Sequence, residues 1–484
     1  MKRKLFLHFL VCTTAVFCAV APLTWGQEQN SAESKASAPA TSTPDTSAAK
    51  TSSKESTAPV TRTHPLFVDI LASRGLKPRL TTTPADAAKR LRSSASSTNA
   101  AGPTGLSVES EGPVAGDNGD RGTGQTLPLF TFRVTSSRDG NQYSGAMVGD
   151  SPFKDPGTTR VPTKIVPVIL KLQTIGTSFD PSTGLIATEP GNTTFDPNRP
   201  DNVCLSAPNN VPTTLVRQSP IFNPAHFVFG GTDVGTTEYN DAFQRANFWN
   251  VLGKERNEFH VLLDPEILDP IVLEVPAVYG VALTNPDFFG PPPFCAPLGI
   301  VDINWFDTHL TGTVIPSLGE VDPTNFPVFL VYNVVWASPA NNLFTCCILG
   351  YHGTTGFPIP TQTYSPAGFD STGAFTNSSG DPSGFSDTAI LSHEVDEWMD
   401  DPMVSNPTPP WGNTGQVVGC QANLEVGDPL TGTTVPAVTM PNGYTYHLQE
   451  LAFFSWFFGA PPTGVNGWFS DNGTFVTDAG APCH

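Results

Sequence analysis

Residues 392–402 read SHEVDEWMDDP, with one histidine, five carboxylates and no basic side chain. Apolar residues recur at helical spacing through this stretch and before it, which predicts a helix over 386–400. Ser386 or Asp387 can cap the start of this helix. Asp401 ends it, because a residue that precedes a proline avoids helical dihedral angles. The sequence therefore predicts a short helix of unusual acidity.

The two faces of this helix differ in chemistry. The natural core face carries three apolar side chains, Leu391, Val395 and Trp398. His393, Glu397 and Asp400 project together from the opposite side, and Glu394 lies about 60° from Glu397. Like charges four residues apart, such as Glu397 and Asp401, destabilise an exposed helix, and no Lys or Arg is near to offset them. A divalent cation removes this conflict, since His393 and Glu397 lie one turn apart and can bind one ion.

Acidic side chains dominate the second half of the chain. The whole sequence has a formal net charge of −19, the last basic residue is Arg256, and residues 257–484 hold 23 Asp and Glu with no Lys or Arg. Each buried carboxylate there must be capped by backbone N–H groups, paired with a histidine or a distant basic residue, or bound to a metal. The negative charge also argues against nucleic acid and anionic membranes as partners.

Residues 1–26 have the pattern of a secretory signal peptide. Lys2, Arg3 and Lys4 precede an apolar run that ends in small residues, and we predict cleavage near Gly26. An uncleaved membrane anchor is the alternative, but a polar tail rather than a stop-transfer flank follows the run. No later stretch is apolar enough to span a bilayer. We therefore expect a secreted or extracytoplasmic protein without stable membrane insertion.

Export makes the cysteines candidates for disulfide bonds. Six remain after removal of the signal peptide: Cys204, Cys295, Cys346, Cys347, Cys420 and Cys483. An even number outside the cytoplasm favours disulfides, although the sequence does not select the pairing. Adjacent cysteines in a strand point to opposite faces, so we expect Cys346 and Cys347 to pair with different partners.

The chain divides into a polar N-terminal part and a folded remainder. Residues 27–125 are predicted to be a low-complexity linker or propeptide, a disordered tether apart from a short helix around HPLFVDILASRGL. Residues 126–484 are predicted to form one α+β domain, whose β-rich N-terminal part packs with the acidic helix. Strand candidates include a hairpin over 127–149 and the run FPVFLVYNVVW. Helices are predicted over 239–252, 386–400 and 446–458.

These motifs resemble the active-site helix of the zincin metalloproteases, whose HExxH motif binds a metal together with a third ligand further along the chain. HEVDE at 393–397 matches the first histidine and the glutamate, and Glu397 takes the place of the second histidine. CQANLEVGDP supplies Glu425 and Asp428, where gluzincin-like proteins place an acidic third ligand. The combination also resembles a group of secreted bacterial proteins of uncharacterised function and, more distantly, the plant phosphate-induced (Exordium-type) proteins. The likeness covers about residues 340–430.

The resemblance implies a zincin-like fold and a secreted zinc metallopeptidase with a peptide or protein substrate. It assigns His393 and Glu397 as metal ligands, Glu425 as the third ligand, and Glu394 as general base for a water bound to the metal. Asp428 is expected to orient a ligand or cap a turn. With two carboxylates in place of one, the site should accept harder metals such as Mn²⁺ or Ca²⁺ more readily than an HExxH site.

Two further histidines and a second function stay open. His447 begins a predicted apolar helix, where it is either a metal ligand or a packing residue. His352 in GYHG ends a strand, where it is either a substrate contact or a turn residue. No GxSxG motif or glycine-rich phosphate loop supports a different chemistry. The alternative function is a non-enzymatic secreted or cell-surface binding protein with a structural cation.

Overall fold

The computed structural model describes residues 61–62, 65–76, 126–154, 156–356, 361–377, 379–412, 420–459 and 461–477. These residues all lie within one compact unit, Ser56–His484. The predicted signal peptide, residues 1–26, lies outside the described residues, and so does most of the segment 27–125.

Strand accounts for 37% of the described residues and helix for 20%. In chain order the strands are β1 Thr61–Arg62, β2 Leu66–Phe67, β3 Leu129–Thr135, β4 Gln142–Val148, β5 Thr158–Phe179, β6 Ile186–Phe195, β7 Ala225–Phe229, β8 Thr232–Thr237, β9 His260–Ile267, β10 Ile271–Val275, β11 Gly280–Leu283, β12 Leu298–Asp302, β13 Phe326–Tyr332, β14 Val334–Ala337, β15 Ile348–Gly350, β16 Gly353–Thr355, β17 Gln362–Phe369, β18 Pro407–Gly412, β19 Cys420–Asn423, β20 Val438–Thr439 and β21 Thr445–Tyr446. The α-helices are α1 Ile70–Ser73, α2 Pro212–Gln218, α3 Tyr239–Asn247, α4 Trp249–Leu252, α5 Ile303–His309, α6 Ile315–Ser317, α7 Ala389–Asp400 and α8 Phe454–Phe458. A π-helical turn, Leu310–Val314, joins α5 to α6, and short 3₁₀ turns cover Gly253–Glu255, Leu343–Thr345, Ser383–Phe385, Asp428–Leu430 and Val465–Gly467.

Seven of the strands close into a barrel. The ring runs β5, β11, β12, β14, β15, β17, β13 and back to β5. It closes at β15, which pairs antiparallel with both β14 and β17. The 22-residue strand β5 also pairs with β6, β9 and β10 outside the ring. The predicted zincin-like α+β fold is therefore wrong, and the protein is mostly β.

The error has a physical cause. Apolar runs reveal individual strands, and the predicted hairpin over 127–149 is present as β3 and β4, paired along their whole length. Closure of the ring instead depends on pairing between β15 and β17, whose register is a tertiary property with no local sequence signal. A single acidic helix with flanking strands fits several fold classes equally well.

Strands of the barrel are covered on both faces. Every residue of β13, FPVFLVY, is buried, as expected for a strand between two layers. Phe326, Val328 and Leu330 belong to one apolar cluster, which includes the core face of α7. Phe329 and Val331 belong to a second cluster, which includes α5. The barrel wall separates these two apolar layers, and α7 packs in the first.

The predicted acidic helix is present as α7 and is anchored by its tryptophan. Trp398 stacks on Phe326 with ring centroids 3.6 Å apart, and its Nε1–H donates to Thr363 Oγ1 at 3.0 Å. The helix begins three residues later than predicted, because Asp387 has a φ of 41° and its carboxylate accepts from the next backbone N–H. The predicted end at Asp401 is confirmed.

The prediction of a helix over 446–458 is largely wrong. Only Phe454–Phe458 is helical, and Gln449 instead forms an isolated β-bridge with Thr434. Extended backbone carries Gln449 to α7, where its N–H donates to Ser392 Oγ at 3.0 Å. The helix predicted over 239–252 is confirmed as α3 and α4.

Residues 65–76 add a strand and a short helix to the barrel. Strand β2 pairs antiparallel with β15. The following helix, α1, is capped by Asp69, whose Oδ1 accepts from the N–H groups of Leu71 and Ala72 at 3.0 Å. The short helix predicted around HPLFVDILASRGL is thus present. This part of the predicted linker or propeptide is joined to the barrel by backbone pairing.

Two disulfide bonds lie entirely within the described residues. Cys204 pairs with Cys295, and Cys346 pairs with its neighbour Cys347. The expectation of different partners for Cys346 and Cys347 is wrong, because they precede β15 in non-strand backbone. Cys420 is also disulfide-bonded, and Cys483 lies outside the described residues. No helix in the described part of the chain has both the length and the apolar character needed to cross a membrane.

Candidate metal centre

The acidic helix α7 is buried on all sides. Every residue of α7 is buried, and no solvent reaches any ionisable side chain on it. We give the name acidic cluster to six buried ionisable residues on and around α7: His352, His393, Glu394, Glu397, Glu425 and Asp428. A solvated acidic helix face is therefore excluded. Charge at this depth is costly unless it is neutralised, so the acidic cluster requires protons or a cation.

Hydrogen bonds fix the orientation of the His393 ring. Gln449 donates its amide N–H to Gly427 O at 2.5 Å, so its Oε1 is the atom that faces His393 Nδ1, at 3.0 Å. An amide oxygen only accepts, so Nδ1 carries the proton and Nε2 of a neutral ring carries a lone pair. Nε2 lies 3.1 Å from Glu397 Oε1 and 3.6 Å from Asp428 Oδ1. A histidine held in this way is typical of metal sites.

The turn after Glu425 positions the carboxylates around His393. Glu397 Oε1 accepts from the backbone N–H groups of Gly427 and Asp428, at 3.2 and 3.1 Å. Gln421 Nε2 donates to Asp428 Oδ2. Asp428 Oδ1 is thereby turned toward His393. The ligand atoms of His393, Glu397 and Asp428 all lie within 4.8 Å of one another, a spacing that could hold a metal ion.

His352 enters the acidic cluster from the turn between β15 and β16. Its Nε2–H donates to the carbonyl oxygen of Asp401 at 3.2 Å. Its Nδ1 lies 3.6 Å from Glu394 Oε2 and 3.9 Å from Glu397 Oε2. His352, Glu394 and Glu397 form a second group whose ligand atoms lie within 4.8 Å of one another. The sequence predicted His352 as a substrate contact or a turn residue, and its place beside α7 depends on the barrel pairing.

Two glycines allow the cluster to pack this closely. A Cβ at Gly427 would lie 2.4 Å from His393 Nδ1, and a Cβ at Gly350 would lie 2.6 Å from Glu394 Oε1. Neither glycine has a positive φ, so close approach rather than backbone conformation requires them. The imidazole and the carboxylate therefore lie directly against the backbone.

Several polar atoms of the cluster lack hydrogen bonds of ordinary length and angle within the described residues. They are His393 Nε2, both carboxylate oxygens of Glu394, Glu397 Oε2 and Glu425 Oε2. Buried polar atoms are normally satisfied, so each such atom calls for an explanation. A cation bound among these atoms would satisfy several at once.

Burial controls the protonation of the cluster. It raises the pKa of Glu397 to about 8 and the pKa of Glu394 and Glu425 well above the ordinary range. Burial also lowers the pKa of His352 to about 3, so this ring is neutral. Without a cation, burial thus favours the protonated form of these three glutamates. A dication favours their ionised form, and its binding releases protons.

The structure places the other residues of the predicted site as follows. Glu425 lies beside Glu397, and its Oε2 is 4.0 Å from His352 Nε2. Of the two downstream acids, Asp428 is the one that faces His393, with Oδ1 3.6 Å from Nε2. His447 lies outside the cluster, since its Nδ1 bonds to Asp387 Oδ2 at 2.6 Å. Asp400, expected on the same face as His393, accepts from Gln244 on α3 at 2.6 Å; it is therefore held by another helix.

Strand β2 lies beside Glu394. Leu66 of β2 is opposite Gly350, the glycine that contacts the Glu394 side chain. Burial raises the pKa of Glu394. The backbone N–H of Leu66 is close enough to donate to the Glu394 carboxylate, and this contact lowers the pKa by a smaller amount. The chain's own extended backbone therefore occupies the strand edge next to this carboxyl group.

The buried histidine, glutamate and aspartate groups could hold a metal ion, with nitrogen and oxygen atoms as ligands. Imidazole and carboxylate donors suit Zn²⁺ and Mn²⁺. In comparisons with known proteins, no protein-family model, no curated protein and no solved structure matches this chain.

Proposed function

We propose that the protein is an exported, metal-dependent hydrolase that cleaves peptide bonds. The observation that carries the proposal is the orientation of His393. Its Nδ1–H is held by Gln449, and its Nε2 is directed at Glu397 and Asp428 in a pocket without solvent. A dication bound by a neutral imidazole and two carboxylates forms a site with no net charge, which lowers the free-energy cost of burying the ion.

Glu394 is the proposed general base. It follows His393 in the chain, and both of its oxygens lack hydrogen bonds of ordinary geometry within the described residues. A dication at His393 would polarise a substrate carbonyl and acidify a water molecule. Burial raises the pKa of Glu394, which makes its carboxylate a stronger proton acceptor than an exposed glutamate.

Pairing of β2 with β15 supports a peptide substrate. An extended segment of this chain already lies antiparallel along β15, with Leu66 opposite Gly350 and Phe67 opposite Ile348. Strand edges recognise peptides through the backbone, so another extended chain fits the same edge. Every cluster residue is fully buried, so hydrolysis requires access to be opened, and we propose that residues 65–76 leave this edge.

Zn²⁺ is the proposed cation, with Mn²⁺ as the competitor. Each group offers one imidazole nitrogen with two carboxylate donors, a set that suits both ions. Ca²⁺ is disfavoured, because it takes six to eight oxygen ligands. Export is part of the proposal as well. It is supported by the signal-peptide pattern of residues 1–26 and by the Cys204–Cys295 disulfide.

The test compares Glu394→Gln with a matched variant, Glu320→Gln, at an exposed glutamate outside the cluster. A specific protease site is placed between residues 76 and 126, and hydrolysis of an unstructured protein is measured before cleavage and again after cleavage and removal of the released N-terminal segment. We expect activity after cleavage in the wild type and in Glu320→Gln. The hydrolysis rate of Glu394→Gln should be about 10²–10⁴-fold lower, which is the usual contribution of a general base. This variant should still bind the cation at His393. Full activity in Glu394→Gln, or none in any form, contradicts the proposal.

Complete burial of the cluster favours a second candidate, a structural cation in a secreted binding protein. Such a site needs no access for substrate, and all six cluster residues are at 0% exposure. Chelation distinguishes the two functions. A structural cation predicts a large fall in the melting temperature on chelation, with no hydrolysis before or after cleavage between residues 76 and 126.

A further inference from the structure

The two groups of ligand atoms share one side chain. Glu397 belongs to both, and its two oxygens face different histidines: Oε1 lies 3.1 Å from His393 Nε2, and Oε2 lies 3.9 Å from His352 Nδ1. We propose that the acidic cluster binds two divalent cations, bridged by the Glu397 carboxylate. The first position, with His393 and Asp428, is the one on which the proposed function rests. The second, with His352 and Glu394, is additional.

Both imidazoles present the same nitrogen chemistry to Glu397. His393 is held at Nδ1 by Gln449 Oε1, and His352 is held at Nε2 by the carbonyl oxygen of Asp401. Both partners are acceptors, so the proton of each neutral ring points away from Glu397. A histidine that served only to hydrogen-bond Glu397 would point its N–H toward the carboxylate. His352 Nδ1 faces Oε2 of both Glu394 and Glu397, whereas His393 Nε2 faces Glu397 Oε1, and this separation of the two ring nitrogens suits two cations.

Charge balance favours two ions over one. Glu394, Glu397, Glu425 and Asp428 together carry four negative charges when ionised, and an imidazole that binds a cation through its lone pair adds no charge. One dication would leave two of these carboxyl groups either charged where no solvent reaches them or protonated. Among the described residues, Glu394, Glu397 and Glu425 form no ion pair with Lys or Arg. Their ion-pair partners are the histidines of the cluster, His352 and His393. A second dication offsets the other two charges of these four groups. Asp396, Asp400 and Asp401 are also buried and interact with Glu397.

Distances within the second group suit a shared ion. Glu394 Oε2 and Glu397 Oε2 lie 3.6 and 3.9 Å from His352 Nδ1. Both distances are short enough for one ion to bond to the nitrogen and to each oxygen at about 2.0–2.2 Å. A bridging carboxylate suits ions about 3.5–4 Å apart, the separation in two-metal hydrolases. Glu394 uses only Oε2 here, which leaves Oε1, beside Gly350, to accept a proton. The second cation would stabilise charge that develops on the substrate oxygens.

The experiment measures metal per chain in the full-length protein after saturation with Mn²⁺ and removal of excess ion. His352→Gln removes the second-group imidazole with a side chain of similar size. His226→Gln, at an exposed histidine paired with Asp233, is the matched control. Electron paramagnetic resonance of the same samples distinguishes a coupled pair of Mn²⁺ ions from an isolated ion, and near-ultraviolet circular dichroism checks the fold of each variant.

We expect two ions per chain and a coupled Mn²⁺ spectrum in the wild type and in His226→Gln. His352→Gln with native circular dichroism should bind one ion and give an isolated spectrum. One ion in the wild type, unchanged in His352→Gln, overturns the second position and leaves the proposed function in place. Two ions in both proteins also overturn it, because the second ion is then not at His352. No bound ion in the wild type overturns the proposed function as well.

Discussion

Gly427 offers a direct perturbation of the His393 position. Its φ of −83° and ψ of −36° suit alanine, so Gly427→Ala introduces no backbone strain. The new Cβ would, however, lie 2.4 Å from Nδ1 and 2.7 Å from Cγ of His393. Carbon atoms in contact normally stay about 3.5 Å apart. The imidazole must therefore move by about 1 Å.

Such a displacement is large on the scale of metal coordination. Metal–ligand distances tolerate about 0.2 Å, and the moved ring also loses its hydrogen bond to Gln449. Loss of that kind of outer hydrogen bond alone weakens metal binding by about 10–100-fold. We expect at least this increase in the Kd of Gly427→Ala, measured by competition with a chromogenic chelator. Overpacking should also lower the unfolding free energy of the metal-free protein by about 1–3 kcal/mol.

Gly319→Ala is the matched control, since its Cβ would meet no atom within 4 Å. This variant should bind metal with the wild-type Kd. If Gly427→Ala folds and also keeps the wild-type Kd, then His393 does not hold the ion, and the reasoning from the Gln449 hydrogen bond is refuted.

Two further predictions concern pH and residues 65–76. In chelator, the unfolding free energy should fall as pH rises from about 4.5 to about 8. Burial raises the pKa of Glu397 to about 8, so in that window Glu397 ionises in the unfolded chain and stays protonated in the folded protein. The expected slope is about 1.4 kcal/mol per pH unit for each such group. Saturating metal should reverse this trend in urea unfolding at pH 5 and 7.5, and equal curves with and without metal would contradict it. Separately, cleavage after residue 76 and removal of the released segment should raise peptide hydrolysis, and a synthetic peptide of residues 61–76 should inhibit it again. A shuffled peptide of the same composition is the control, and equal inhibition by both would exclude specific pairing on β15.

Local chemistry explains what the sequence predicts well. His393 and Glu397 are four residues apart, and helical geometry alone places them together. The acidic composition after Arg256 also indicates that buried carboxylates need a partner other than Lys or Arg. Both inferences use only neighbours in the chain, and α7 confirms the helix that they require.

Contacts between distant segments explain what the sequence does not predict. His352 reaches Glu394 because β15 closes the barrel. Gln449 reaches His393 because residues 446–453, predicted as helix, are extended or irregular. The choice of Asp428 over Glu425 beside His393 depends on the turn at Gly427, whose N–H, with that of Asp428, fixes Glu397. Spacing alone treats the two acids as equivalent.

Anomalous X-ray diffraction at the zinc edge tests the central claim most directly, with crystals of the full chain grown in Zn²⁺. We predict a peak within about 2.0–2.2 Å of His393 Nε2 and bonded to carboxylate oxygens of Glu397 and Asp428. A well-ordered His393 side chain, with Nδ1 bonded to Gln449 Oε1 and no anomalous peak beside Nε2, would contradict the claim that this cluster is a metal centre.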